Sequence, residues 1–381
     1  MAGETSVQLA SRIRERRDAL KLTQKALAER AGFQQHQTIS QIEKGEREVK
    51  AWELARIANA LHVSVVDLLS ETAMEPSPAV LWRQAPAEDK AVREAEFLEW
   101  CRRYAHVEHL VGIETARAIP CASPLDLSQC TPSQVDELAA EVKRHLGLGE
   151  RPAAELVKAL EERCGVKIWY ANLGKEASAA SVYGEFGPAI LMNSTEAPWR
   201  RNYNFAHELF HLLTWNESTA ASLQENTSLL ERADKLADRF ASHLLLPADL
   251  TIAAFDRRVS NNAVSYADLV TLARELEVST MALLWRLANL GRLGHSTVNQ
   301  LLDNEQFRKL DRTSMRGRWW DPPPIPERFV RLAFLAYSRG RLSKARLAEY
   351  LGVTLPDLPA TLMDYGLDES ADYDTTVSIA A

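Results

Sequence analysis

Apolar residues recur at helical spacing along most of this chain, and alternation with a period of two is confined to one stretch near its middle. Between Leu9 and Leu69 the helical pattern breaks into five short segments. The first runs around Ile13 to Leu20 and is basic, with Arg12, Arg14, Arg16 and Arg17. Thr23 stands at an N-cap position for a helix through Arg30, which Ala31-Gly32 ends. A further helix covers Gln37 to Glu43 and is closed by Lys44-Gly45. Trp52 to Leu61 and Val63 to Leu69 complete the set. The chain then turns proline-rich and polar from Glu71 to Pro78, the composition of a linker.

Phe97, Trp100, Tyr104, Val107, Leu110 and Val111 form a stripe at three-to-four spacing, which reads as a connector core in preference to a dimer interface. Pro120 to Pro132 is a second irregular stretch. Helices follow from Thr131 to about Leu146 and from Pro152 to about Cys164. Three strands come next, Val166–Tyr170, Ala179–Tyr183 and Ala189–Asn193, the last two separated by Gly184 to Pro188. Phe205, Leu209, Leu212 and Leu213 mark an amphipathic helix, and Leu230 to Pro247 marks another. Helical spacing resumes after Pro247. There Leu276-Glu277-Val278-Ser279 and Leu351-Gly352-Val353-Thr354 repeat the corner Leu61-His62-Val63-Ser64, with Ser or Thr capping the next helix. These repeats carry no basic helix and read as small helical bundles. Asp311 to Pro326, with Arg312, Arg316, Arg318, Trp319, Trp320 and Pro322-Pro323-Pro324, reads as a long loop, either a mobile lid or a strap. The tail from Asp364 to Ala381 has five acidic residues and no Lys or Arg, which predicts an exposed segment.

Composition narrows the class. With 381 residues the chain has room for two or three domains, and 46% hydrophobic with 25% charged residues is ordinary for a globular protein. No apolar run reaches membrane length and no signal segment opens the chain, so the expected location is the cytoplasm, with no membrane partner. Cys101, Cys121, Cys130 and Cys164 are scattered without a C-x-x-C pair, as suits unlinked thiols in a reducing compartment. A net charge of −7 confines any nucleic-acid binding to a local patch.

The chemistry concentrates in Asn204-Phe205-Ala206-His207-Glu208-Leu209-Phe210-His211. His207 and His211, four residues apart on a helix, project from one face close enough to bind one metal ion. Glu208 is offset towards the same cleft, where a carboxylate can hold and deprotonate a water. H-E-x-x-H with those roles is the zinc-peptidase signature. A third protein ligand is needed, and the helix from Leu230 offers candidates.

From Asp234 to Pro247 that second helix reads D-x-x-A-D-x-F-A-x-x-L-L-x-P, one residue away from the pattern E-x-x-A-[ND]-x-F-A-x-x-L-L-x-P, and behind the H-E-x-x-H helix it resembles the ImmA/IrrE family of bacterial metallopeptidases. The resemblance implies that Asp234, where Glu is usual, is the third Zn²⁺ ligand, with Glu231 one turn earlier as the alternative. Asp238, one turn on, is placed to accept a hydrogen bond from a ligand imidazole. His243, about 180° round the helix from Asp234, is packing. Arg200 and Arg201 fall where the family usually shows Arg and either position substrate or brace the site, and Tyr203 is a weaker candidate for polarising the scissile carbonyl. An exposed edge strand, taken as Ser181 to Tyr183, would receive substrate as an added strand.

The segment L-T-Q-x-x-L-A-E-R-A-G-F…T-I-S-Q-I-E-K-G-E-R…L-A-R-I-A-N-A-L-H-V-S-V-V-D-L-L resembles the helix-turn-helix of the Cro/phage-repressor family. That resemblance implies a helix laid in the DNA major groove, where amides can read adenine. His36, Gln37, Thr38 and Gln41 take the groove-facing positions and Ile39 and Ile42 the core. Gln24 and Lys44 are expected to contact phosphates.

The fold expected is mainly α with a small antiparallel sheet (α+β). It comprises a five-helix helix-turn-helix domain (1–72), linker and connecting helices (73–132), a zincin-like H-E-x-x-H peptidase domain (133–250), and a helical C-terminal region with an acidic tail (251–381). The expected function is a DNA-binding transcriptional regulator with a zinc-dependent endopeptidase domain. Its partners would be operator DNA, a protein substrate (its own linker near Pro76 among the candidates) and a second copy of itself. Two other readings stay open: a non-cleaving ligand or peptide sensor, which the Asp at the third-ligand position favours, and an antitoxin-like repressor.

Overall fold

The structure is a computed structural model that describes residues 2–70, 77–113, 119, 125–215, 222–223, 226–314 and 320–369. Most of the linker, Cys121, much of the irregular stretch before Pro132, Arg316, Arg318, Trp319 and most of the acidic tail lie outside the described residues. The chain divides into two compact units, residues 1–78 with 86–102, and residues 79–85 with 103–381. Among the described residues no helix is long and apolar enough to cross a membrane.

The first unit contains α1 (Ala2–Ala19), α2 (Gln24–Arg30), α3 (Gln37–Glu43), α4 (Ala51–Ala60) and α5 (Val65–Leu69). Its core gathers Ile13, Leu27, Ile39, Ile42, Ile57, Leu61 and Leu68. The α1 segment begins well before the apolar pattern does. A buried ion pair, Arg17 Nε to Glu43 Oε1 at 2.6 Å, joins α1 to the end of α3. Removing one partner of such a pair would strand a buried charge. The division between the units falls within α6 (Lys90–Leu110). Phe97, Tyr104 and Val107 on that helix are buried, as the connector-core reading requires.

The second unit is built on a four-stranded sheet of β1 (Leu81–Trp82), β2 (Lys167–Ala171), β3 (Ala179–Gly184) and β4 (Gly187–Asn193), in the order β1-β3-β4-β2. The expected antiparallel sheet is instead mixed. β3 pairs antiparallel with β1 and β4, but β2 pairs parallel with β4, Lys167 opposite Ala189 and Ala171 opposite Asn193. The β3–β4 hairpin places β4 between β3 and β2, and connection order sets strand direction, which side-chain alternation does not encode. The expected free edge at Ser181 is also covered: Leu81 lies opposite Ser181 and Trp82 opposite Ala180. A two-residue strand is too short to show a period.

Around the sheet pack α7 (Pro132–His145), α8 (Pro152–Glu162), α9 (Pro198–Leu213) and α10 (Thr227–Leu245). Then follow α11 (Ala248–Asp256), α12 (Tyr266–Glu275), α13 (Thr280–Asn289), α14 (His295–Asp303), α15 (Glu305–Ser314), α16 (Glu327–Ser338), α17 (Lys344–Leu351) and α18 (Leu358–Asp364). One hydrophobic core runs from Leu81 through the sheet and α9 to Phe307 on α15. The described part of the Asp311–Pro326 stretch is not all loop, because α15 continues to Ser314. The Trp320 carbonyl accepts from Arg201 Nη2 at 2.7 Å and the Trp320 ring lies 4.3 Å from the Arg201 guanidinium carbon.

The repeated corners share one conformation. His62 and Glu277 take φ of 52° and 55° and Gly352 takes 68°, each two residues before the capping Ser64, Ser279 or Thr354. The cap hydroxyls accept from the N–H groups of Asp67, Ala282 and Asp357. The left-handed residue turns the chain and the apolar residue after it packs inward; Ser64 and Ser279 then satisfy first-turn donors, whereas Thr354 serves Asp357, the N-cap of α18. Lys21-Leu22-Thr23, with φ of 55° at Lys21, is a fourth instance.

A cluster of charges is buried in the second unit. Glu108 pairs with Lys167 at 2.8 Å and Arg328 at 2.7 Å, and Arg328 donates to the Tyr104 hydroxyl at 2.8 Å. Beside it, burial pushes the Glu161 carboxyl up to about 7, against the pull of Arg328 and Arg331. A carboxyl raised on folding binds an extra proton in the native state, so its ionisation weakens the fold as pH rises from the ordinary carboxylate range through about 7. Relative to wild type, Glu161→Gln should therefore gain ~1–3 kcal/mol more stability at pH 8 than at pH 5. Unfolding curves at the two pH values check this, and an equal difference at both would contradict it.

Candidate metal centre and recognition helix

α9 opens at Pro198, whose fixed φ suits the first helical turn, and is buried along nearly its whole length between β3, β4, α8 and α10. A helix covered on most faces can hold polar side chains only where they meet one another. His207, Glu208 and His211 are all buried. The Nε2 atoms of His207 and His211 lie 3.2 Å apart. Asp234 Oδ1 on α10 is 3.4 Å from His211 Nε2 and 3.7 Å from His207 Nε2. The three donor atoms lie within 4.8 Å of one another, the one such cluster among the described residues.

The shorter Asp reaches the histidines because α10 packs closely. Ala233, Ala237 and Ala241, four apart, are fully buried, and Phe240 meets Phe210 of α9 with ring centroids 5.6 Å apart. Glu231 is exposed and stands outside the cluster. His243 accepts from Arg286 and approaches Asp136, turned away from the cluster as packing requires.

His207 Nδ1 lies 2.9 Å from Asp238 Oδ1. Nδ1–H donating to this carboxylate leaves the Nε2 lone pair for a metal. Burial pulls the His207 imidazole down, but hydrogen bonds with Asp234 and Asp238 outweigh it and the net shift is upward. Burial raises Asp234 and Asp238, and their histidine partners reverse this to a net lowering of both. Both Glu208 carboxylate oxygens are buried without a hydrogen-bond partner, as is His211 Nδ1. A carboxylate left bare at 0% exposure is costly unless something polar occupies the space before it. Two imidazole nitrogens, one carboxylate oxygen and this orphaned carboxylate together fit a divalent metal ion and a water.

The three residues considered for substrate positioning all have partners within the chain. Arg201 is fully buried and donates to the carbonyls of Ser194, Glu196 and Trp320, so it braces the entry to α9. Tyr203 gives its hydroxyl hydrogen to the Asp238 carbonyl at 2.8 Å. Arg200 is exposed and paired with Glu196 at 3.1 Å. Three residues that no motif marks form a chain ending on Asp238: Glu196 meets Asn204, Asn204 meets Arg83, and Arg83 meets Asp238.

In the first unit, His36, Gln37, Gln41 and Lys44 are exposed on and beside α3, with Gln37, Gln41 and Lys44 along one face. Ile39 and Ile42 are buried on the other, and Thr38 is half-buried between them. Gln24 is partly engaged, donating to Glu43 Oε2 at 2.8 Å.

A helix-turn-helix unit followed by a helix-borne histidine pair with a carboxylate defines a two-part architecture. Residues 13–68 match the helix-turn-helix family, and residues 161–288 match the IrrE N-terminal-like domain of the peptidase families. The chain thus joins a helix-turn-helix DNA-binding domain to an ImmA/IrrE-type metallopeptidase-family domain. No curated protein matches it. Among solved structures, a Mycobacterium tuberculosis transcriptional regulator is similar at 17% identity and a TM-score of 0.31, over 49% of this chain and 51% of that one. The aligned region is about half of that chain's length.

Proposed function

We propose that this chain is a DNA-binding regulator whose second unit hydrolyses peptide bonds, with Zn²⁺ held by His207, His211 and Asp234. The observation that carries the reading is the Glu208 carboxylate, buried without a partner beside three convergent donor atoms. Zn²⁺ bound there supplies Lewis acidity towards water and the scissile carbonyl. Glu208 takes a proton from the attacking water and returns it to the leaving amine. Asp238 holds His207 in the tautomer that offers Nε2. In this reading DNA binding lies within residues 1–72 and hydrolysis within residues 133–250, braced by the helices after 250. The substrate is a protein, and the chain's own linker near Pro76 is one target.

The test is incubation of the zinc-supplied chain, alone and with a proteome-derived peptide pool, beside Glu208→Gln. Cleavage by wild type that is absent from the variant supports the proposal. Products identical in both, or none in either, overturn hydrolysis and leave a non-cleaving sensor, the reading that the Asp at position 234 favours.

For the DNA-binding unit, a homodimer on paired half-sites is the expected form. Gln37→Ala and Gln41→Ala should each lower affinity for an operator selected from random DNA by ~1–3 kcal/mol, with little change on non-specific DNA. Lys44→Ala should weaken both and reduce the salt slope by about 1. Fluorescence anisotropy across a salt series measures all three, and an unchanged specificity ratio in the Gln variants would remove α3 from the groove.

A further inference from the structure

We propose that Arg83 is a positioning residue of the metal centre: its guanidinium bridges α9 and α10 and, through Asp238, fixes the ring of His207. The inference rests on His207 being a metal ligand. Arg83 Nη2 lies 3.1 Å from Asp238 Oδ1, the same oxygen that meets His207 Nδ1 at 2.9 Å. Arg83 Nη1 donates to Asn204 Oδ1 at 2.9 Å. Asn204 stands one turn before His207 on α9, and Asp238 one turn after Asp234 on α10. One planar group thus ties the two helices together at the height of the three candidate ligands.

The guanidinium is itself held. Val80, Leu81 and Trp82 are buried, and the Arg83 N–H donates to the Ala179 carbonyl at 3.0 Å, so the side chain springs from backbone anchored in the sheet. The Tyr203 ring lies 5.4 Å from the guanidinium carbon, while its hydroxyl holds the Asp238 carbonyl. Asn204 Nδ2 donates to Glu196 Oε2 at 2.5 Å, which orients Oδ1 towards Arg83. The Asp238 side chain is 49% exposed, so without Arg83 only His207 would keep it from turning into water. The fixed fork of arginine serves both acceptors at once, which a lysine ammonium does not do in the same geometry. Arg83 lies outside both matched segments, 13–68 and 161–288.

The experiment is a double-mutant cycle on the full chain, reading Zn²⁺ affinity by chelator competition and ligand geometry by the visible spectrum of the Co²⁺-loaded protein. Asp238→Ala should lower Zn²⁺ affinity about 10–100-fold, and Arg83→Ala should lose part of that, about 3–10-fold, with a changed Co²⁺ spectrum. In the Asp238→Ala background, Arg83→Ala should have no further effect on either readout. Arg83→Gln, which keeps one donor, runs through the same cycle should the alanine variant fail to fold. Wild-type affinity in the Arg83 variants, or an undiminished loss in the Asp238→Ala background, would overturn the inference. Wild-type protein that binds neither metal would instead overturn the metal reading on which it rests.

Discussion

The Glu208→Gln chain is expected to keep its metal and to lose about 10²–10⁴-fold of its peptide-bond hydrolysis, the usual contribution of a positioned general base. Glu208 shares neither oxygen with a protein donor, so the amide removes proton-accepting capacity and almost no structure. The swap is nearly isosteric in a fully buried position, which makes loss of fold a poor explanation for loss of rate. Metal content by mass spectrometry and initial rates on a cleaved peptide measure both halves. A variant that loses metal as well would make Glu208 a ligand; one that retains its rate would assign the proton transfer to another group.

Removing a ligand should act the other way round. His207→Ala, His211→Ala and Asp234→Ala are each expected to lower Zn²⁺ affinity by more than the ~10–100-fold typical of an outer-shell partner, and hydrolysis should fall with occupancy. All three donor atoms lie within 4.8 Å of one another, and no other such cluster occurs among the described residues. Stoichiometric metal in the wild type and its loss in all three variants would establish the ligand set. Retention in Asp234→Ala alone would show that the histidine pair binds without it.

Both experiments bear on residues already legible in the chain, because the four-residue histidine spacing is a property of one helix. Asp234 was legible through its neighbours Ala237-Asp238-x-Phe240-Ala241, although one missing methylene left its reach open. That reach depends on how closely α10 approaches, which the buried Ala233, Ala237 and Ala241 permit. Arg200, Arg201 and Tyr203 show the opposite case. Their position on α9 suggested substrate contacts, and no local signal foretold that Arg201 donates to the carbonyls of Ser194, Glu196 and Trp320 or Tyr203 to that of Asp238.

Local signals were enough for whatever depends on neighbours a few residues apart. Helices α2 to α5, the Thr23 and Ser64 caps of the first and last of them, the three longer strands, the H-E-x-x-H face and the exposed face of α3 all follow from periodicity and capping chemistry. Only the tertiary structure decided the parallel pairing of β2 with β4, the covering of Ser181 by β1, and the meeting of Arg83 with Asn204 and Asp238 across 121 and 155 residues of chain. Those contacts are set by the order in which elements connect and by the distances at which they pack, and no period in the sequence carries either.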